Sequence, residues 1–366
     1  MFKHKILITS PSLNTEKNIG GISNLTRLLI DNNKEVDYTH FVVGKEDTQE
    51  RNHKWFISQF RKWVDFHKTL RKEKIEVVHI NIPLGKFSII INYTLIIIAT
   101  LNRKKIVVHL RGGKLSLNNN IKFFQKFIIK HSLKLADTVI LLGEKERNFT
   151  ASYYKISQAK LQVLPNAVVV PKEELINNKI STRSGEEDII NILFIGRIDQ
   201  NKGLNEIVEA FEDIKKKYFS FRFILAGTGP DKKWFIERCK KTLGEKFQYM
   251  GVVDYLEKQK LFMETDIFIL PSYFEGLPNG LLEAMAYGAV PICTPVGAIP
   301  EVVFNTNNGL LIEKNNYKQL AHSINTLLGN SKLRYNLGKE AYKTVKDNFS
   351  LVTYIKKLNN VYNELI

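Results

Sequence analysis

Cysteine is nearly absent from this chain of 366 residues: Cys239 and Cys293 are the only two, far apart and outside any metal-ligand or redox spacing. That excludes a disulfide framework and suits a reducing compartment, where two such thiols act as small apolar core residues. Long apolar runs are missing as well. Lys3 and Lys5 lead into only Ile6-Leu7-Ile8 before Thr9-Ser10-Pro11, too short a stretch for a signal peptide, so the chain is expected inside the cell. The most apolar segment, Phe87 to Leu101, is interrupted by Asn92. At about fifteen residues it falls short of the roughly eighteen that crossing a bilayer requires, and it reads as a buried core helix. No repeat of solenoid period and no low-complexity tract is present.

What is there is the composition of an ordered globular protein, 44% hydrophobic and 25% charged. At roughly 150 residues per domain the length predicts two domains with a cleft. Acidic residues are scarce in one half only. Residues 1–170 hold 28 Lys and Arg against 13 Asp and Glu, or +15, and the remainder 26 against 24, or +2. This asymmetry points the first half at an extended anionic partner, lipid headgroups or nucleic acid, and gives the second half other work.

Short runs rich in Ile and Val recur at Ile6–Ile8, Val77–Ile80, Ile106–Leu110, Thr138–Leu142 and Val163–Leu164, the pattern of buried parallel strands. Between them Ile22–Asn32, Lys54–Lys72, Phe87–Leu101 and Ile121–Leu135 have helical period, which predicts a doubly wound α/β domain. After Pro165-Asn166 and Pro171 the polar stretch Lys172 to Asp188 reads as a linker. The alternation then restarts with Ile189–Ile195 and a helix over Leu204–Tyr218, followed by Phe221–Ala226, Ile267–Leu270 and Val290–Cys293. The predicted domains are 1–170 and 171–350, with residues 351–366 crossing back onto the first.

Chemistry concentrates where strands give way to helices. Leu270 leads into Pro271-Ser272-Tyr273-Phe274-Glu275-Gly276-Leu277-Pro278-Asn279-Gly280 and a helix carrying Glu283. A loop at the carboxyl end of a strand and a helix N-terminus is where open α/β sheets bind phosphorylated or hydroxylated ligands. The two glutamates can grip two hydroxyl-bearing parts of one ligand. A second such junction runs from Ile195 through Gly196, Arg197 and Lys202 to Leu204, and its cations suit a diphosphate leaving group; it is not a Walker A loop. Gly227-Thr228-Gly229 reads as a tight turn. The backbone of Gly251-Val252-Val253 can serve a nucleotide base or simply start a strand. In the first half Gly20-Gly21 opens a helix and can admit a phosphate, and Arg111 follows the strand containing His109. Phe60, Trp63, Phe124 and Phe127 alternate with Arg61, Lys62, Lys68, Lys122, Lys126, Lys130 and Lys134, as in helices that lie on an anionic membrane or pack an apolar face on a sheet.

Taken together these segments resemble the retaining glycosyltransferases of the GT-B fold, the fourth family in the usual numbering: two Rossmann-like doubly wound domains facing a central cleft. The likeness is most specific between Gly196 and Glu301, where Glu275 and Glu283 match the paired-glutamate motif, followed by Gly288, Pro291, Gly297, Pro300 and Glu301. It implies that Glu275 and the backbone of Leu277, Pro278 and Asn279 hold the donor sugar, and that Glu283 holds the ribose. It further implies that Arg197 and Lys202 bind the diphosphate and that Gly20 and Gly21 form the N-terminal glycine loop; Gly196 and Val253, from the residue reading, are candidates to line the nucleotide. Many members carry a histidine after the third strand; here Arg111 stands in that place. No Asp-x-Asp motif appears, so neither a metal nor a cofactor is expected beyond the nucleotide-sugar donor itself, taken as a UDP-hexose or UDP-N-acetylhexosamine. A lipid-linked or polysaccharide acceptor, an anionic inner-membrane surface and a peripheral cytoplasmic location complete the expectation. A GT-B-like phosphorylase or sugar-nucleotide epimerase shares such a donor site, and a basic nucleic-acid-binding protein shares the charge but lacks a recognition motif.

Overall fold

The computed structural model describes residues 3–14, 18, 20–44, 53–112, 121–182, 189–214 and 220–366. They form two compact units, Met1–Asn166 with Leu351–Ile366, and Ala167–Ser350. The first contains β1 (His4–Ser10), α1 (Gly21–Asn32), β2 (Val36–Val42), α2 (His53–Lys72), β3 (Val77–Ile82), α3 (Lys86–Leu101), β4 (Lys105–Leu110), α4 (Phe123–Leu135), β5 (Thr138–Leu141), α5 (Glu144–Tyr154) and β6 (Leu161–Val163). The second runs through α6 (Glu173–Thr182), β7 (Ile190–Ile195), α7 (Leu204–Ile214), β8 (Phe221–Ala226), α8 (Lys232–Leu243), β9 (Phe247–Gly251), α9 (Tyr255–Glu264), β10 (Ile267–Leu270), α10 (Asn279–Ala286), β11 (Val290–Cys293), β12 (Leu310–Leu311), α11 (Tyr317–Leu328) and α12 (Ser331–Asn348). The last helix, α13 (Leu351–Asn363), belongs to the first unit.

Each unit is built on a six-stranded parallel sheet, ordered β2-β1-β3-β4-β5-β6 in the first and β12-β11-β10-β7-β8-β9 in the second. Several features depart from the sequence reading, which assigned the second sheet neither β9 nor β12. The strand β2 was not foreseen, because VDYTHFV at the sheet edge is half-exposed and carries no apolar run. The strand carrying His109 is therefore the fourth, not the third. The stretch read as a linker is helical over Glu173–Thr182, while 183–188 lie outside the described residues, as do 215–219 of the helix expected to Tyr218. Ile176 and Ile180, one turn apart, bury against Tyr342, and Lys179 between them is 6% exposed. Its ammonium donates to three backbone carbonyls, those of Phe262 at 3.1 Å, Thr265 at 2.7 Å and Tyr287 at 2.6 Å. One side chain thus joins the end of α9 to the end of α10.

In the first sheet the period of two sorts each strand's side chains between faces. Val78, Ile80, Val108 and Leu110 share a core with Phe66 and Leu70 of α2, Leu95 and Ile96 of α3, and Ile128 and Ile129 of α4. The residues between them, His79 and His109, point the other way and are wholly buried. His79 Nδ1 lies 2.6 Å from the Tyr362 hydroxyl of α13, and His79 Nε2 lies 3.2 Å from His109 Nδ1, with the two rings stacked. The Asn359 amide of the same helix accepts from Asn33 at 2.7 Å, so α13 is fastened by polar contacts along its length.

Burial, reinforced by the Arg111 guanidinium, holds both imidazoles well below their ordinary 6.5, so both are neutral in the folded protein. Above that pH neither state binds a proton and the pair contributes no pH dependence. As pH falls below about 6.5 the unfolded chain takes up protons that the native pair cannot, and stability declines by up to about 1.4 kcal/mol per pH unit for each histidine. Urea unfolding between pH 7.5 and 5.0 should show this acid limb, shallower in His109→Gln; a limb of unchanged slope in the variant would assign it elsewhere.

Candidate active site

In the second unit the chain moves outward from β7 to β8 and β9, then returns to lay β10 on the other side of β7. Strand order reverses between β7 and β10, and ligands of open α/β sheets bind above the carboxyl ends at such a reversal. The segments that follow these two strands are Gly196–Lys202 and Pro271–Pro278, the two junctions singled out from the sequence.

They are locked together largely through backbone. Tyr273 donates its N–H to Asn201 O at 2.8 Å, and Ala298 donates to Gly276 O at 2.9 Å. Gly297, at φ +57°, lies so close that a Cβ there would stand 2.4 Å from the carbonyl oxygens of both Glu275 and Gly276. Gly203 touches Pro271 O in the same way, where a Cβ would fall at 2.2 Å. The Tyr273 hydroxyl donates to Glu206 Oε1 of α7 at 2.6 Å, and burial together with that carboxylate pushes the phenol's pKa up, so it remains a donor.

On this frame Lys202 Nζ meets Glu275 Oε1 at 2.5 Å, with side-chain exposures of 22% and 10%. The loop ends at Pro278, the N-cap position of α10, which has no side-chain cap. The backbone at Leu277 and Asn279 adjoins this helix N-terminus, whose dipole favours a hydroxyl oxygen or an anion. Glu283, one turn further on, is not beside Glu275's lysine: its Oε1 is held at 2.6 Å by Lys258 of α9. Arg197 joins neither pair. Its side chain is 72% exposed and its nearest acidic contact is Asp199, 3.9 Å from Nε. Gly196 and Gly227 abut where the loops leave β7 and β8, and Gly251 ends β9 at φ +74° rather than starting a strand, with Val253 half-buried in the segment before α9.

In the first unit strand order reverses between β1 and β3. The segment after β1 leads to Gly20, the N-cap of α1, again without a side-chain cap, and to Gly21, its first residue; Ile19 lies outside the described residues. Arg111 stands past the end of β4 and is engaged on three sides. Nε donates to Asn81 Oδ1 at 2.7 Å, Nη1 to Asn166 Oδ1 at 3.0 Å and Nη2 to the Tyr354 hydroxyl of α13 at 3.3 Å. All three partners are neutral, so Arg111 braces the carboxyl edge of the sheet without having its charge cancelled there. His109 is wholly buried and cannot meet a substrate in this structure.

Residues 177–344 match the family described as Glycosyl transferases group 1. This segment, most of the second unit, is similar to group 1 glycosyltransferases. The chain is 24% identical over 263 residues to the capsular polysaccharide biosynthesis glycosyltransferase CapM of Staphylococcus aureus, covering 70% of this chain and 69% of that one. It is 30% identical over 241 residues, 61% of this chain and 59% of the other, to the N,N'-diacetylbacillosaminyl-diphospho-undecaprenol alpha-1,3-N-acetylgalactosaminyltransferase of Campylobacter jejuni. The solved structure of Anabaena HepE in complex with UDP and glucose superposes with a TM-score of 0.74 at 15% identity, covering 99% and 100% of the two chains. The fold is GT-B.

Sequence reasoning about this site missed Lys258, Tyr273 and Glu206, because each acts through a residue distant in sequence and no local spacing signals the pairing. Gly297 was noted only for its place in a motif; its close approach to Glu275 explains why it is glycine. Gly297→Ala should cost about 2 kcal/mol or more in urea unfolding, since a strained φ and a clash with two carbonyls combine. Donor turnover should fall as Glu275 shifts. An alanine variant with wild-type stability and turnover would mean that the loop contact is dispensable.

Proposed function

We propose that this protein is a retaining, metal-independent glycosyltransferase that moves a sugar from a UDP-hexose or UDP-N-acetylhexosamine to a lipid-linked or polysaccharide acceptor in cell-envelope glycan assembly. The observation that carries the reading is the Lys202–Glu275 pair beside the uncapped start of α10, at the reversal of the second sheet. Glu275 and the backbone N–H groups at the start of α10 offer acceptors and donors to sugar hydroxyls. Lys202 brings a cation within reach of the same ligand, and with the solvent-facing Arg197 it offsets the charge that grows on the diphosphate as the anomeric bond lengthens. Retention of configuration is taken from the family resemblance. The named chemistry of the relatives is in keeping with this: capsular polysaccharide, an undecaprenol diphosphate acceptor, and a neighbour holding UDP and glucose.

The reading is tested by following UDP release from a panel of UDP-sugars with lipid-linked acceptors. Lys202→Ala should lower turnover by about 10²-fold or more, the scale of losing one charge-stabilising group, with the circular dichroism spectrum intact. Wild-type kinetics in that variant would remove Lys202 from the mechanism.

The same reading places the enzyme on the cytoplasmic face of an anionic membrane. Among the described residues no helix is long and apolar enough to cross a bilayer. The first unit nevertheless exposes phenylalanines that its sheet leaves uncovered: Phe123 is 86% exposed, Phe124 62% and Phe127 54% on α4, with Phe60 63% exposed on α2. Ile128, Ile129 and Leu133 already supply the face of α4 that meets the core, and Lys122, Lys126, Lys130 and Lys134 lie along the same helix. Apolar side chains framed by cations suit an interface of acyl chains and anionic headgroups. Sedimentation with vesicles containing phosphatidylglycerol should fall at least tenfold when Phe123, Phe124 and Phe127 are replaced by Ser; equal sedimentation of variant and wild type would end the membrane assignment.

A further inference from the structure

The side of α9 that meets α10 carries a cation that sugar transfer has not so far employed. Lys258 Nζ lies 2.6 Å from Glu283 Oε1, with side-chain exposures of 26% and 16%. Several contacts build this placement. Asp254 and Glu257 close a capping box at the start of α9. Phe262, 2% exposed and one turn beyond Lys258, stacks on Tyr287 with ring centroids 5.8 Å apart, and Lys258 Nζ lies 5.8 Å from the centre of the same Phe262 ring. The Lys179 ammonium grips carbonyls at the far ends of both helices. Two helices are thereby held in fixed register around one carboxylate. Its Oε1 is taken by the ammonium; its Oε2 is buried and has no hydrogen-bond partner among the described residues. A carboxylate oxygen in that state is an acceptor whose donor has yet to arrive, since buried polar atoms are otherwise almost always satisfied.

We propose that Lys258 is a positioning residue for nucleotide recognition. By holding one oxygen of Glu283 it presents the other to the ribose hydroxyls of the donor, and the site thereby selects ribonucleotides over their deoxy forms. The inference rests on Glu283 as the ribose ligand within the function proposed above. An ammonium suits this task because it fixes one carboxylate oxygen while leaving the other free to accept from a hydroxyl, and a methionine of similar length keeps the packing on Phe262 but not the grip. Were Lys258 only a brace between helices, its loss would weaken every ligand alike.

The test is a calorimetric titration of full-length protein with UDP, ADP and GDP, then with the 2′,3′-dideoxy form of whichever binds tightest. Wild type should prefer the ribose form by about tenfold to a hundredfold, the scale of a hydrogen bond to a charged group. In Lys258→Met that preference should shrink to less than about threefold, mostly through weaker binding of the ribose form, while Lys258→Arg should keep most of it. Equal weakening of both forms in Lys258→Met, an undiminished preference there, or no preference in wild type would each overturn the assignment. Failure of wild type to bind any nucleoside diphosphate would instead bring down the donor reading, and this inference with it.

Discussion

A parallel sheet whose strand order reverses cannot close over its central strands, because the connections leaving those strands depart in opposite directions. Above β7 and β10 that constraint leaves a place where two loops meet without helices covering them, and the rest of the second unit is arranged to keep those loops in one geometry. The means is mostly backbone against backbone. Gly203 lies on the carbonyl of Pro271, Gly297 on those of Glu275 and Gly276, and the Tyr273 amide on that of Asn201. Side-chain contacts reinforce the frame but do not make it; the Tyr273–Glu206 bond fastens an already fixed loop to α7.

The charged groups at this edge are distributed rather than pooled. Each glutamate has its own lysine, one supplied by the neighbouring loop and one by the neighbouring helix. Partly buried charges of this kind hold their place only when paired, and the pairing orients each carboxylate before any ligand arrives. The first unit uses its excess of cations differently. Arg111 is spent on neutral partners that tie β3, Asn166 and α13 together, while Lys122 and Lys134 are exposed at the two ends of α4, which carries exposed phenylalanines.

Much of this was legible in the sequence where local chemistry determines the outcome. Ile and Val runs marked most strands, and the junctions after β7 and β10 were conspicuous because glycine, proline and charged residues interrupt those runs at the same point in the alternation. Legibility failed where tertiary contact decides. An edge strand such as β2 needs no apolar run, since only part of it is covered. A polar segment such as α6 becomes helical because Ile176 and Ile180 find an apolar partner in Tyr342 and Lys179 finds three carbonyls. The sequence also grouped Arg197 with Lys202, because they are neighbours in the chain, whereas the fold turns one to solvent and the other to Glu275. Lys258 sits 25 positions before Glu283, and only the packing of α9 on α10 makes them partners.

The glycine contacts also bear on how such a site can diversify. Where one main chain rests directly on another, adding a residue or a methyl group displaces both, so the length and path of these loops are effectively frozen. Freedom to alter which ligand is accepted is left to positions whose side chains leave that scaffold, such as the exposed Phe274 between the fixed Tyr273 and Glu275. A family built on this plan can exchange its substrates by changing side chains while its main chain stays where it is.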